Sequence, residues 1–220
     1  MTPSVDVVMP VRNVTAYLDA AIGSVFAQEG IAPRLIIVDA GSDIPVMLSA
    51  PWKTDARITL IRSETGLNAG GGRNLGCTML ESDFLTFLDA DDLWPPARSR
   101  HLIEQLTRTG SDMTLGQVEH FSESDAESLH VPAGLRPAYL AGGTLLTRSA
   151  WECVGPYKAE LRTGEYIDWY NRFTALGLKE SVIGHITLRR RVHARSTTAT
   201  QTDDRSEYLK VVREWMNRNA

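Results

Sequence analysis

Apolar and polar positions fall into short blocks along this chain, and the blocks read alternately as strands and helices. Val5, Val7, Val8 and Met9 form an apolar run that Pro10 ends, which predicts a first strand. Ala16, Leu18, Ala20, Ala21, Ile22, Val25 and Phe26 give a helix from about Thr15 to Gln28 its buried side. Leu35-Ile36-Ile37-Val38 is continuously apolar, as in a strand buried on both faces, and Asp39 to Asp43 is turn chemistry. Ile58 to Ile61 reads as a third strand. A glycine-rich loop from Gly66 to Gly72 then leads into a helix through Arg73, Leu75, Met79 and Leu80. Phe84 to Leu88 is a fourth strand, and Pro95-Pro96 starts a helix through Leu102, Ile103 and Leu106.

Strands alternating with helices imply βαβ units: an α/β fold with a mainly parallel sheet flanked by helices. After about residue 110 the pattern changes. Met113 to Phe121 and Gly143 to Thr147 read as strands, Ser122 to Leu135 as a polar loop, Glu165 to Leu176 as a helix ended by Gly177, and Val182 to Val192 as extended. The expected organisation is a single domain over residues 1–202, with halves 1–110 and 111–202, followed by an amphipathic helix in 203–220. That helix carries Tyr208, Leu209, Val212, Trp215 and Met216 on one side. Packing on the domain, a homodimer contact and a peripheral membrane contact are its uses, in that order of preference.

Length and charge narrow the picture. At 220 residues the chain can bury a sizeable core, and 43% hydrophobic with 23% charged residues is an ordinary globular balance. A net charge of −4 argues against general nucleic-acid binding, which favours a broad basic face. Cys77 and Cys153 have no metal-ligand or redox spacing, and no signal pattern or membrane-length apolar run is present. The expectation is a cytoplasmic, soluble protein.

The strongest chemical signal is Asp89-Ala90-Asp91-Asp92 after an apolar strand. Ligands of open α/β sheets bind outside the carboxyl ends of strands. In extended backbone, Asp89 and Asp91 point to one side, and two close carboxylates repel unless a cation or proton sits between them. A hard divalent ion, Mn2+ or Mg2+, is the natural partner, with a diphosphate completing its coordination. The competing reading is a polar turn that caps the next helix; the position at a buried strand end decides against it. Asp92 is open between a supporting group and a turn former.

Several segments carry a resemblance in their order. They are Val8-Met9-Pro10-Val11-Arg12-Asn13, Tyr17-Leu18 through Gln28, Ile37-Val38-Asp39-Ala40-Gly41-Ser42, Gly70-Gly71-Gly72-Arg73-Asn74-Leu75-Gly76 and Phe87-Leu88-Asp89-Ala90-Asp91-Asp92. Together they resemble family 2 glycosyltransferases of the GT-A (Rossmann-like) fold, over roughly residues 5–195. The resemblance implies that Asp91 binds the metal bridging a nucleotide diphosphate and that Asp89 contacts ribose or supports the metal. It implies that Pro10 and Arg12 lie near the base and that Asp39 belongs to the nucleotide site. Ala40 stands where the family has a second acid that often recognises a uracil-type base, which leaves the base open.

Arg73 follows three glycines, whose backbone amides can approach phosphate while the guanidinium adds charge-assisted bonds; a flexible loop with Arg73 on the surface is the plainer alternative. Glu165 and Asp168, three apart on a helix, share a face, and one of them is the expected base for an acceptor hydroxyl. Asp168 is preferred because Glu165 can cap the helix start; two solvated first-turn acids are the alternative. Tyr166 departs from the family's Glu-Asp pair here. If Val182 to Val192 is extended, Arg189, Arg191, His193 and Arg195 face one way, suiting a leaving diphosphate, with His193 as a metal or phosphate ligand. An exposed basic edge strand is the alternative.

The resulting expectation is metal-assisted transfer of a sugar from a nucleotide-diphosphate donor to an unknown acceptor hydroxyl, with inversion implied by the resemblance. A nucleotidyltransferase, or a non-catalytic nucleotide-binding or interaction module of the same fold, are the alternatives.

Overall fold

The computed structural model describes residues 2–13, 15–123 and 131–193. β1 (Ser4–Val11) is an interior strand of its sheet. Val5, Val7, Met9 and Val11 join one apolar cluster and Val8 the other, so the strand is buried on both faces. β2 (Ala32–Asp39) divides in the same way, with Leu35 and Ile37 in one cluster and Ile36 and Val38 in the other. β3 (Ile58–Arg62) runs parallel to β2, and β4 (Phe84–Phe87) runs parallel to β1 on its other side.

The later strands are β5 (Met113–Phe121), β6 (Arg136–Pro137), β7 (Thr144–Thr147) and β8 (Glu180–Arg191). They extend the same sheet, whose order is β3-β2-β1-β4-β7-β5-β6, with β8 paired to β5. β7 is antiparallel to both β4 and β5, whereas β8 is parallel to β5. The sheet is therefore mixed and mainly parallel in its first half, as expected.

α1 (Leu18–Phe26) and α3 (Arg98–Thr109) cover the face that holds Val7 and Met9. α2 (Ala69–Cys77), α4 (Arg148–Val154) and α5 (Glu165–Ala175) cover the face that holds Val8 and Val38. Arg98 is fully buried, donating to Thr86 Oγ1, Thr144 O and Thr187 O beneath the Trp94 ring. It ties α3 to β4, β7 and β8.

Some expectations are corrected. Pro10 does not end β1; it pairs with Val38 inside the strand. The Val8 carbonyl accepts from Leu88 on the β4 side, whereas the Val11 carbonyl accepts from Ala40 on the β2 side. Alternation aims the missing N–H of Pro10 toward β4, beyond the last pair, Val8 with Phe87, so no ladder bond is lost. α1 starts at Leu18, not Thr15, after a turn in which the Thr15 carbonyl accepts from Leu18 N. α2 includes Gly70, Gly71 and Gly72, which the sequence reading left in a loop. Helix propensity disfavours this, but packing overrides it: a Cβ at Gly76 would stand 2.3 Å from Val8 Cγ1, and one at Gly72 3.1 Å from Pro10 Cβ. The short α4 and β6 were not foreseen. The amphipathic helix in 203–220, Arg195 and the 124–130 part of the polar loop lie outside the described residues. Among the described residues no helix is long and apolar enough to cross a membrane.

Candidate functional site

The acidic turn follows β4 at the carboxyl end of the parallel strands, where such sheets take ligands. Asp92 N donates to Asp89 O at 3.1 Å, so the segment is a tight turn and not the extended backbone of the sequence reading. The acids consequently engage different partners. Asp89 Oδ1 accepts from Arg73 Nη2 at 2.6 Å, and Asp91 Oδ2 lies 3.0 Å from His193 Nε2. Asp92 is buried and its Oδ1 accepts from Arg191 N at 2.9 Å, so it fastens the end of β8 to the turn. Burial, with the charges of Asp91 and Asp89, pushes its carboxyl well above the ordinary carboxylate range.

Arg191 completes this corner. Its Nε donates to Asp91 O at 2.8 Å, its guanidinium lies 4.4 Å from the Tyr17 ring centre and 4.7 Å from that of Phe121, and it pairs with Glu123. The Tyr17 and His193 rings meet at 5.1 Å. Tyr17, Ser122, Glu123, Arg191, Val192 and His193 line a small open cleft of about 150 Å³. Arg189, by contrast, pairs with Glu119 at 2.8 Å, and its backbone bridges to Leu93. The sequence reading used Tyr17 only as part of the resemblance and gave it no role at the site; an aromatic residue just before α1 was the available signal.

Arg73 is buried and not on a surface loop. Nη1 donates to Glu165 Oε1 at 2.8 Å while Nη2 holds Asp89, and Phe87 and Tyr157 flank the guanidinium at 6.0 and 5.7 Å. Its Nε lacks a hydrogen-bond partner among the described residues. Burial opposes its charge, but Asp89 and Glu165 outweigh burial and raise its pKa. Two of the three glycine amides are already engaged within the helix start: Gly71 N donates to Asn68 Oδ1 at 2.8 Å and Gly72 N to Asn68 O at 2.9 Å.

Glu165 and Asp168 both start α5, yet their carboxylates part. Glu165 joins Arg73 and hence the acidic turn. Asp168 is clamped by Lys158 Nζ at 2.6 Å and Arg172 Nε at 3.1 Å. Neither cation stood out in the sequence, since Lys158 lies in an irregular segment and Arg172 reads as an ordinary i,i+4 partner.

Asp39 is buried and fully engaged. Oδ1 accepts from Ser42 N at 2.8 Å, and Oδ2 accepts from Val46 N at 3.1 Å and Arg62 Nη1 at 2.6 Å. Burial raises its pKa, but the two amides, Ser42 and Arg62 outweigh it and hold the carboxyl below its ordinary value. Arg12 is exposed and donates to Leu67 O at 3.3 Å, and Pro10 lies against Gly72.

Among the described residues no group of three or more His, Cys, Asp or Glu side chains forms a metal cluster. Asp91 with His193 nevertheless fits a divalent ion. The 3.0 Å between Asp91 Oδ2 and His193 Nε2 is a direct hydrogen bond; with an ion in its place the same two atoms would be adjacent ligands about 3 Å apart. The remaining positions would fall to phosphate oxygens and water.

The sequence profile described as Glycosyl transferase family 2 matches residues 6–183. Succinoglycan biosynthesis protein ExoO of Rhizobium meliloti (strain 1021) is 28% identical over 153 residues, 65% of this chain and 43% of that protein. The Escherichia coli UDP-Glc:alpha-D-GlcNAc-diphosphoundecaprenol beta-1,3-glucosyltransferase WfgD is 27% identical over 115 residues, 52% of this chain and 46% of that protein. This chain thus spans less than half the length of either relative. The crystal structure of S. aureus TarS 1–349 in complex with UDP-GlcNAc superposes with a TM-score of 0.75 at 15% identity, covering 96% of this chain and 65% of that one. At that identity the likeness speaks to the fold, which is GT-A.

Proposed function

The chain belongs to glycosyl transferase family 2, and from that premise we propose that it moves a sugar from a nucleotide-diphosphate donor to a saccharide hydroxyl by inverting single displacement. The observation that carries the reading is the convergence of Asp89, Asp91, His193, Arg73 and Glu165 around one turn at the end of β4. The names of the relatives support it. TarS is described with UDP-GlcNAc and with UDP, and WfgD is named as transferring from UDP-Glc to a lipid-linked sugar.

In this mechanism the acceptor oxygen attacks the anomeric carbon as the bond from that carbon to the diphosphate oxygen breaks. The acceptor proton passes to a carboxylate at the start of α5. Glu165 is preferred to Asp168 because both oxygens of Asp168 are taken by Lys158 and Arg172. Asp91 and His193 would hold the divalent ion, Mn2+ or Mg2+, which when bound offsets charge on the departing diphosphate. Pro10 and Arg12, at the end of β1, border the base side.

Titration calorimetry of UDP, GDP, CDP and TDP, each with and without manganese, tests the reading on native protein and Asp91→Ala. One nucleotide is expected to bind in a metal-dependent way, and the variant to lose that binding. A native protein that binds none of the four is a non-catalytic member of the fold.

A further inference from the structure

α2 does more than supply Arg73. Asn68 Nδ2 donates to Ala159 O at 2.7 Å and Leu161 O at 2.8 Å. Asn74 exchanges two bonds with Tyr157, Nδ2 to the carbonyl at 2.8 Å and the amide back to Oδ1 at 2.9 Å. The side chains of Asn68, which caps α2, and of Asn74, within it, are thus stitched to the backbone of the segment that delivers α5. At the first turn of α2 a Cβ on Gly70 would stand 3.3 Å from Glu165 Cγ and from Tyr157 Cβ, so α5 and the segment before it pack closer here than a side chain fits without adjustment.

Arg73 sits at the centre of this seam, 3% exposed, with one Nη on the acidic turn and the other on α5. We propose that Arg73 is a positioning residue, a buried strut that fixes Glu165 relative to Asp89, rather than a ligand of the donor phosphates. The rigid guanidinium fork is the reason for arginine here: two carboxylates on separate elements are held at a set spacing by one planar group, which a lysine ammonium on a flexible stem does not reproduce. The flanking Phe87 and Tyr157 rings keep that plane in place. Removing the strut leaves the metal corner of Asp91 and His193 intact but frees Glu165 from its register with the donor. A group that must meet the acceptor proton within hydrogen-bond reach loses rate when its position loosens.

The inference rests on the glycosyltransferase reading, and the experiment separates the two. Arg73→Lys and Arg73→Met are titrated, with manganese, with whichever of the four diphosphates binds the native protein. Release of that diphosphate from its sugar conjugate is then followed. Arg73→Lys is expected to keep the affinity within about threefold while turnover falls at least tenfold, and to add little further loss in Glu165→Gln. A fall in diphosphate affinity that accounts for the lost turnover overturns the proposal and makes Arg73 a phosphate ligand. Unchanged turnover, or full additivity with Glu165→Gln, also overturns it.

Nitrogen-15 spectra of the native protein provide a readout that needs no substrate. Two slowly exchanging Arg73 Nη groups are expected, one lost in Glu165→Gln and the other in Asp89→Asn. Averaged, fast-exchanging Nη signals in the native protein reject the strut even if transfer is observed. Absence of nucleotide binding in the native protein rejects the transferase reading, whatever the spectra show.

Discussion

Among single residues, the carboxylates divide by what already holds them. Asp6, within β1, is fully buried, accepting from Glu81 N and Ser82 N at 2.7 and 2.8 Å and from Arg34 Nε at 2.8 Å. Burial raises its pKa, but Arg34 and the two amides outweigh that and depress it below the ordinary 3.8. A depressed folded value means that the stabilisation is complete above the unfolded value and is lost as pH falls through the folded one. Asp6→Asn turns an acceptor into a donor facing two amides and is expected to cost about 2 kcal/mol at pH 7. Urea midpoints for native and variant protein should differ at pH 7, and the gap should begin to close near pH 3.8 and narrow further as pH falls through the lower folded value; a gap independent of pH would refute the charge argument. Asp39 and Asp168 are similarly engaged, which sequence could not show. A carboxylate after a strand looks the same whether its partner is a ligand or an arginine twenty-three residues on.

Elements were legible where their pattern was local. β1, β2, β4 and α3 follow from apolar runs and spacing because each is buried by its own periodic face. The seven residues of α4 are too few for a helical period to declare itself. The glycine run misled for a physical reason: Gly72 faces Pro10 of β1 and Gly70 faces Glu165 and Tyr157 too closely for side chains to fit easily, so glycines stand in a helix that their propensity disfavours. Gly76→Ala should therefore destabilise by about 2 kcal/mol, because overpacking against Val8 exceeds the gain of up to about 1 kcal/mol in helix propensity. Gly184→Ala, with nothing within 4 Å of its added Cβ, serves as the control and should be close to neutral. Thermal unfolding of the two variants checks the pair. Equal midpoints would mean that α2 can back away from the sheet.

Across the whole molecule, the two halves of the sequence are one sheet. β4 pairs with β7, and Arg98 binds β4, β7 and β8 from inside. Far-ultraviolet circular dichroism and tryptophan fluorescence should accordingly report a single shared urea transition; separated midpoints would show halves that fold independently. The acidic turn was readable in sequence because strand and acids are adjacent. Its partners were not, because pairing of β8 with β5 brings His193 and Arg191 in from 102 and 100 residues away.

That distance has a consequence for the order of events on the ribosome. The emerging chain presents the aspartates early, but Asp92 has no strand end to grip and Asp91 no imidazole until about a hundred further residues, through Arg191 and His193, have been made. A nascent chain stalled before β8 would carry the motif without the grip. Under the proposed function, an ion held by Asp91 and His193 would therefore bind only after β8 has joined β5.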